Sequence, residues 1–165
     1  MNLIKIGKRI NQALIKRFSE QGHHLTGGWE NYLQLKQSGN VLTCTGAPYT
    51  KYLDRGVTAD RIPFNPGSGA KASKYISALA QYAKIRNIAD NDKEAISIAF
   101  AIARKHKQEG MPTRASRRFS STGKRTEFLT DVLKEIAPEI RQTIAREYGS
   151  ELQTIINNQI RNLQL

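Results

Sequence analysis

Apolar residues recur at spacings of three and four along residues 126–165, and this pattern constrains the fold more than any other feature of the chain. Such spacing is typical of one side of an α-helix. Proline lacks the N–H that an interior helical position needs, so Pro138 is expected to interrupt or kink the helix between residues 126–136 and 139–163. Gly149 is a second position where it is expected to break. The apolar positions are Phe128, Leu129, Val132, Leu133, Ile136, Ile140, Ile144, Leu152, Ile155, Ile156, Ile160 and Leu163.

Helical periodicity also appears at the N-terminus. In residues 2–20, apolar positions recur with basic residues between them, which predicts an amphipathic helix. Asn2 is a suitable N-cap and Gly22 a suitable end for this helix.

Two further helices are predicted in the middle of the chain, over residues 71–86 and 91–108. Asn91 or Asp92 can cap the second, and Gly110-Met111-Pro112 ends it. Between them and the first helix, residues 60–71 contain Pro63, Pro66, Gly67 and Gly69, which predicts a long loop.

A β-hairpin is predicted within residues 25–46, because apolar runs flank a turn at Ser38-Gly39-Asn40. A short helical turn follows over Tyr49 to Leu53 and closes at Gly56. The fold class expected is therefore α+β and mainly helical. Its parts are an N-terminal helix, a small hairpin, a helical middle and a long C-terminal helix, in a single domain over residues 1–165.

The net charge of the chain is +12, which favours nucleic acid, anionic surfaces or acidic proteins as partners. More than half of the excess lies in residues 104–125, where eight basic side chains face Glu109 alone and give +7. Residues 126–165 carry four basic and six acidic side chains and give −2. Residues 104–125 are thus interpreted as a basic loop or arm, and residues 126–165 as a helical segment that packs on or reaches neighbouring subunits.

The basic segment supplies the candidate contact residues for a protein partner or DNA. Arginine forks suit phosphate oxygens, and the serines of the segment add hydrogen-bonding groups. Only Phe119 interleaves with the charges, and no DNA-reading module fits, so docking on an acidic protein is favoured over nucleic acid. The candidates are Arg104, Lys105, Lys107, Arg114, Arg117, Arg118, Lys124 and Arg125.

No catalytic or metal-binding pattern is found. His23 and His24 are adjacent, so in extended chain they point in opposite directions and are poorly placed to share an ion. The stretch Gly67 to Lys71 lacks phosphate-loop spacing, and no serine lies in a nucleophile elbow. Asp90-Asn91-Asp92 is better explained by helix capping than by calcium. We therefore expect no enzyme, no catalytic residues, no cofactor and no metal.

The sequence contains no apolar run of membrane-spanning length, and no membrane partner is expected. The single cysteine, Cys44, excludes an internal disulfide framework and suits synthesis in the cytoplasm. Four aromatic residues form a possible interface cluster, but core positions are favoured for them. They are Trp29, Tyr32, Tyr49 and Tyr52.

Several stretches together resemble the neck and tail-completion proteins of tailed bacteriophages, over roughly residues 20–130. The run from Val57 to Pro66 is most similar to structural proteins of crAss-like Bacteroides phages. The other stretches are Leu25-Thr26-Gly27, the run from Tyr49 to Gly56, Ala99 to Arg104 followed by Gly110 to Thr113, Arg118-Phe119-Ser120, and Gly123 to Thr126.

The resemblance implies a structural virion protein that forms a homo-oligomeric ring in the neck or tail. Its partners would be the portal and other neck and tail proteins, with non-specific contact with packaged DNA as a further interaction. Such a ring joins head to tail and keeps the DNA channel open. The family brings no catalytic residues. The alternative left open is a basic, sequence-independent nucleic-acid-binding protein.

Overall fold

The computed structural model describes residues 3–25, 28–65, 67 and 73–163. It is mainly helical with one two-stranded antiparallel sheet, which confirms the expected fold class. The helices and strands are α1 (Ile4–Glu20), β1 (Gln34–Ser38), β2 (Val41–Thr45), α2 (Thr50–Arg55), α3 (Lys74–Ile85), α4 (Asp92–Glu109) and α5 (Phe128–Leu163). Short 3-10 helices span Glu30–Tyr32, Ala59–Arg61 and Arg114–Phe119.

The chain divides into two compact units, which are described separately. Unit 1 comprises Met1–Thr50 and Glu127–Leu165, and unit 2 comprises Lys51–Thr126. That residues 1–165 act as a single domain stays a prediction.

Unit 1 is built around an aromatic cluster between α1 and the start of α5. The rings of Phe18 and Trp29 are stacked with centroids 4.3 Å apart, and Phe128 meets each of them edge-on at 5.5 Å. The indole Nε1 of Trp29 donates a hydrogen bond of 2.9 Å to Thr50 Oγ1. Because this ring is buried and its one polar group is satisfied, the core position predicted for Trp29 is confirmed.

The remaining three aromatics of the predicted cluster are exposed instead. Tyr32, Tyr49 and Tyr52 all keep large exposed surfaces, and the first two contact each other edge-on at 6.3 Å. The core prediction was therefore wrong for the tyrosines. Tyr32 ends a 3-10 helix, Tyr49 lies in the turn just before α2 and Tyr52 lies in α2, and such short elements present only part of their surface to a core.

The predicted hairpin is confirmed. Strands β1 and β2 pair with Ser38 opposite Val41, so Gly39 and Asn40 form the two-residue turn. Leu35 and Leu42 are its half-buried apolar residues, and both approach α1 at Gly7. The N-cap predicted at Asn2 lies outside the described residues. Helix α1 ends at Glu20, and Gly22, the predicted stop, follows the C-cap Gln21 at a φ of 69°.

Unit 2 packs α3 against α4 through small side chains. Ala95, Ala99 and Ala103 lie on one face of α4 and are fully buried, which lets the two helices approach closely. Ile62, Phe64, Ile76 and Ala80 complete this core. The side chain of Asn91 caps α4 by accepting the backbone N–H of Glu94 at 3.0 Å, which confirms one of the two caps predicted.

Helix α5 runs without interruption from Phe128 to Leu163, through both Pro138 and Gly149. The predicted interruption at Pro138 and the predicted break at Gly149 were therefore wrong, while the kink expected as the alternative at Pro138 stays a prediction. Proline removes one backbone hydrogen bond, but burial of Phe128, Val132 and Ile136 fixes the first turns and the helix resumes its pattern beyond. No helix among the described residues combines the length and hydrophobicity needed to cross a bilayer.

Candidate interaction surfaces

The eight candidate basic residues lie on three consecutive pieces of unit 2. Arg104, Lys105 and Lys107 are in the last turns of α4. Arg114, Arg117 and Arg118 belong to the 3-10 helix Arg114–Phe119, which we call the arginine turn. Lys124 and Arg125 lie in the loop before α5. The segment predicted as a loop or arm is therefore helical over much of its length.

Local hydrogen bonds of the segment's own polar side chains give it this structure. Glu109 Oε2 accepts the backbone N–H of Arg114 at 3.0 Å, and the hydroxyl of Ser116 donates to the Thr113 carbonyl at 2.6 Å. The hydroxyl of Ser120 donates to the Lys124 carbonyl at 2.6 Å. These serines, which the sequence suggested as phosphate contacts, are thus engaged in holding the chain's own turns.

The segment is also tied back to the start of unit 2. The backbone N–H of Val57 donates to the Met111 carbonyl and the N–H of Met111 to the Val57 carbonyl, each at 2.7 Å. This isolated antiparallel bridge fixes the point where α4 gives way to the arginine turn. The turn is therefore anchored at its start by backbone pairing.

Three of the candidate basic groups serve the fold. Lys105 pairs with Glu109 at 3.7 Å, and Lys107 Nζ donates to the Ile62 carbonyl at 3.3 Å. Arg125 is half-buried and its Nη1 donates to the Ser116 carbonyl at 3.5 Å. Burial lowers the pKa of Arg125 from its ordinary value, although the group stays charged at neutral pH.

The arginines of the arginine turn are displayed to solvent instead. Arg114, Arg117 and Arg118 are exposed, and none of them forms an ion pair within the described part of the chain. The guanidinium of Arg118 lies 4.8 Å from the ring centroid of Phe119, which is itself 48% exposed. Arg104 on α4 is also exposed. The arginine turn thus combines three positive charges with an exposed aromatic face.

Positive charge is unevenly shared between the two units. Unit 2 contains 16 Lys and Arg against six Asp and Glu, a net charge of +10. Unit 1 contains ten Lys and Arg against eight Asp and Glu, a net charge of +2. The attraction for anions that the composition predicts therefore belongs mainly to unit 2.

Two acidic side chains of α5 are neutralised within unit 1. Arg17 Nη2 bonds both carboxylate oxygens of Glu135 at 2.8 and 2.9 Å. Arg9 bonds both oxygens of Glu139 at 2.9 and 3.0 Å, and the hydrogen bond from Arg9 lowers the pKa of the Glu139 carboxyl. These two carboxylates are therefore occupied and poorly suited to receive the basic segment of a neighbouring subunit.

The second half of α5 carries exposed apolar side chains. Leu152 and Ile155 are each 57% exposed, Ile156 is 50% exposed and Tyr148 is 38% exposed. Spacings of three and four place these four residues, which we call the apolar stripe, along one side of the helix. The sequence pattern placed Leu152, Ile155 and Ile156 on a shared helix face and did not include Tyr148. It did not show that the face is uncovered. Helix length was the available signal, since a helix of 36 residues is longer than the other elements can cover.

His23 and His24 both contact neighbouring side chains of unit 1. His23 packs against Phe18 and Phe128, with ring centroids 5.1 and 5.9 Å apart, while His24 contacts Glu30 at 3.2 Å. No three His, Cys, Asp or Glu side chains gather as metal ligands in the described ranges. Of the glycine-rich stretch 67–71, only Gly67 lies within the described residues. Of Leu25-Thr26-Gly27, only Leu25 does.

Comparison with protein-family models, with curated proteins and with solved structures gave no match to this chain.

Proposed function

We propose that this chain is a structural subunit of an oligomeric assembly and, from the motifs at residues 20–130, that the assembly is a ring in the neck of a tailed bacteriophage. The ring joins the portal to the tail and leaves a channel for DNA. The observation that carries the proposal is the apolar stripe at Tyr148, Leu152, Ile155 and Ile156.

Single exposed apolar residues are ordinary on protein surfaces, but a contiguous row along one helix face favours a polypeptide partner. Burial of such a row removes apolar area from water, which stabilises the complex by about 25 cal/mol for each Å² buried. The exposed half of α5 is therefore the element best suited to pack on another subunit.

Charge supports the same element as the place where copies meet. The whole chain carries +12, so copies repel one another in general. Residues 141–163 carry three Arg against two Glu, which is close to neutral. Electrostatic repulsion between copies is therefore weakest when they meet through residues 141–163. A closed ring needs unlike faces to meet, so the apolar stripe of one subunit packs on a different surface of the next.

The proposal includes no catalysis, cofactor or metal. Synthesis takes place in the host cytoplasm and the mature location is the virion neck or tail. Partners are further copies of this chain, the portal, and other neck and tail proteins.

Complementation of a phage that lacks this gene tests the proposal. We expect Leu152→Glu with Ile155→Glu to yield heads and tails that fail to join, because two charges interrupt the apolar stripe. The matched control, Gln153→Glu with Asn157→Glu, adds the same charges to exposed polar positions on the same helix and is expected to complement fully.

Mass spectrometry of the purified virions provides the second measurement. The chain is expected in particles with a fixed copy number. Particles that are joined, infectious and free of this chain would contradict the proposal. The rival function, a stand-alone nucleic-acid-binding protein, predicts that absence together with a monomeric chain in solution.

A further inference from the structure

We propose that the arginine turn is a binding surface for single-stranded nucleic acid, in which Arg114, Arg117 and Arg118 contact phosphates and Phe119 stacks on a base. The inference goes beyond the proposed structural function, since assembly through α5 makes no use of this surface.

The 3-10 geometry aligns two of the three arginines. A 3-10 helix has three residues per turn and rises about 2.0 Å per residue, so Arg114 and Arg117 lie on the same side about 6 Å apart. Each guanidinium offers parallel N–H donors that match two phosphate oxygens. The arginine turn therefore presents the guanidinium groups of Arg114 and Arg117 side by side, where each can bind a phosphate.

The exposed ring of Phe119 beside Arg118 offers a stacking surface that favours single-stranded nucleic acid as the partner. Its ring is 48% exposed and the Arg118 guanidinium lies 4.8 Å from its centroid. An acidic protein could also cover an exposed aromatic ring, so the effect of Phe119→Ala on binding distinguishes the two partners. Unpaired bases stack on such rings and on guanidinium planes, whereas bases within a duplex are already stacked and cannot.

The surroundings attract a polyanion. Unit 2 carries a net charge of +10, whereas a second copy of the chain carries +12 and is repelled. The carboxylates of Glu135 and Glu139, which a neighbour's α5 would offer, already bind Arg17 and Arg9 of their own chain. The strongest remaining complement to this surface is a phosphate backbone.

The turn is formed before a ligand arrives. Glu109 accepts the Arg114 backbone N–H at 3.0 Å and the Ser116 hydroxyl closes on the Thr113 carbonyl at 2.6 Å. The backbone therefore loses little conformational freedom on binding, so more of the contact energy appears as affinity.

Fluorescence anisotropy with the full chain and a labelled oligothymidine of about 20 nucleotides tests the inference. We expect affinity to fall linearly with salt on logarithmic axes. Arg114→Gln, Arg117→Gln and Arg118→Gln together should lower affinity at least about tenfold and reduce the salt slope by about two to three. Phe119→Ala should weaken single-strand binding about fivefold or more and leave duplex binding unchanged.

The matched control removes three charges from exposed positions of unit 1, by Lys5→Gln, Lys8→Gln and Lys36→Gln. It lowers the net charge equally and is expected to weaken binding less than about threefold, because those lysines are not part of the arginine turn and contribute only their share of the net charge. Circular dichroism checks the fold of each variant. If the glutamine triple variant fails to fold, the lysine triple variant replaces it and should keep the salt slope while losing affinity.

Three results would overturn the inference. One is no binding to oligothymidine at low salt. Another is equal loss of affinity in the turn variant and in the unit 1 control. The third is binding of labelled polyglutamate as tight as that of oligothymidine with no effect of Phe119→Ala, which would assign the surface to an acidic protein.

Discussion

Gly56 occupies a position where only glycine fits. Its φ is 78°, and a Cβ there would lie 2.5 Å from the Met111 carbonyl oxygen, which accepts the Val57 N–H. We expect Gly56→Ala to lower the free energy of unfolding by about 2 kcal/mol, from backbone strain plus the displaced bridge. Urea denaturation measures this change.

Gly123→Ala is the control for that experiment. Gly123 has a similar φ of 69°, but a Cβ there meets nothing within 4 Å. It should cost only the backbone strain, about 1 kcal/mol. Equal losses in the two variants would show that the close approach to Met111 is unimportant.

His106 makes the stability of unit 2 depend on pH. Its Nδ1 lies 2.6 Å from the Tyr75 hydroxyl, and burial lowers the pKa of the imidazole from its ordinary value. The unfolded chain then binds a proton more readily than the folded one. The stabilisation is complete above the unfolded pKa of about 6.5 and is lost as pH falls from there through the folded pKa.

Urea denaturation at pH 7.5 and pH 5.5 measures the free energy of unfolding on either side of that unfolded pKa, about one unit above it and about one unit below it. We expect the wild type to lose more stability at the lower pH than His106→Gln, which has no proton to gain. A loss of the same size in both proteins would place the titrating group elsewhere.

Helix α5 shows what periodicity predicts and what it leaves open. Spacings of three and four correctly predicted the helical state. The burial of Phe128 and Val132 at the start of the helix came from the structure. The sequence predictions overstated the breaks at Pro138 and Gly149, because local propensity costs are smaller than the gain from continuing an anchored helix. Periodicity alone did not predict the solvent exposure of Leu152 and Ile155, since it identifies a shared face and not the neighbour that covers it.

Gly149→Ala tests the continuity of α5. A Cβ at Gly149 meets nothing within 4 Å, so alanine adds no clash. We expect local stabilisation by about 0.5–1 kcal/mol from the difference in helix propensity. Amide hydrogen exchange in neighbouring turns should slow accordingly, and Ala145→Gly should speed it. Unchanged exchange in both variants would contradict a continuous helix at this point.

The basic segment gives a similar lesson. Counting charges located residues 104–125 correctly as the most basic stretch, yet the sequence did not reveal that Lys107 and Arg125 bond backbone carbonyls of the fold. Those contacts join residues far apart in sequence or depend on the turn at Ser116. Arg114, Arg117 and Arg118 of the arginine turn are exposed, and the nucleic-acid proposal therefore uses these three and not Lys107 or Arg125.

Across the two units, positive charge is distributed unevenly. Unit 2 carries +10 of the net +12, while the exposed apolar stripe lies on α5 of unit 1. The two proposals use different surfaces of the chain, the apolar stripe for copies of itself and the arginine turn for a polyanion. A result that contradicts the assembly proposal therefore leaves the nucleic-acid proposal untouched, and the reverse also holds.

The most direct test of the central claim is the mass of the purified full chain in solution, measured by sedimentation equilibrium over a range of concentrations. The account predicts a species several times the 18.5 kDa of one chain, which returns to 18.5 kDa when Leu152→Glu and Ile155→Glu are combined. High salt should favour the larger species, because it screens the repulsion between copies. A mass of 18.5 kDa at every concentration, in the wild type and the variant alike, would contradict it.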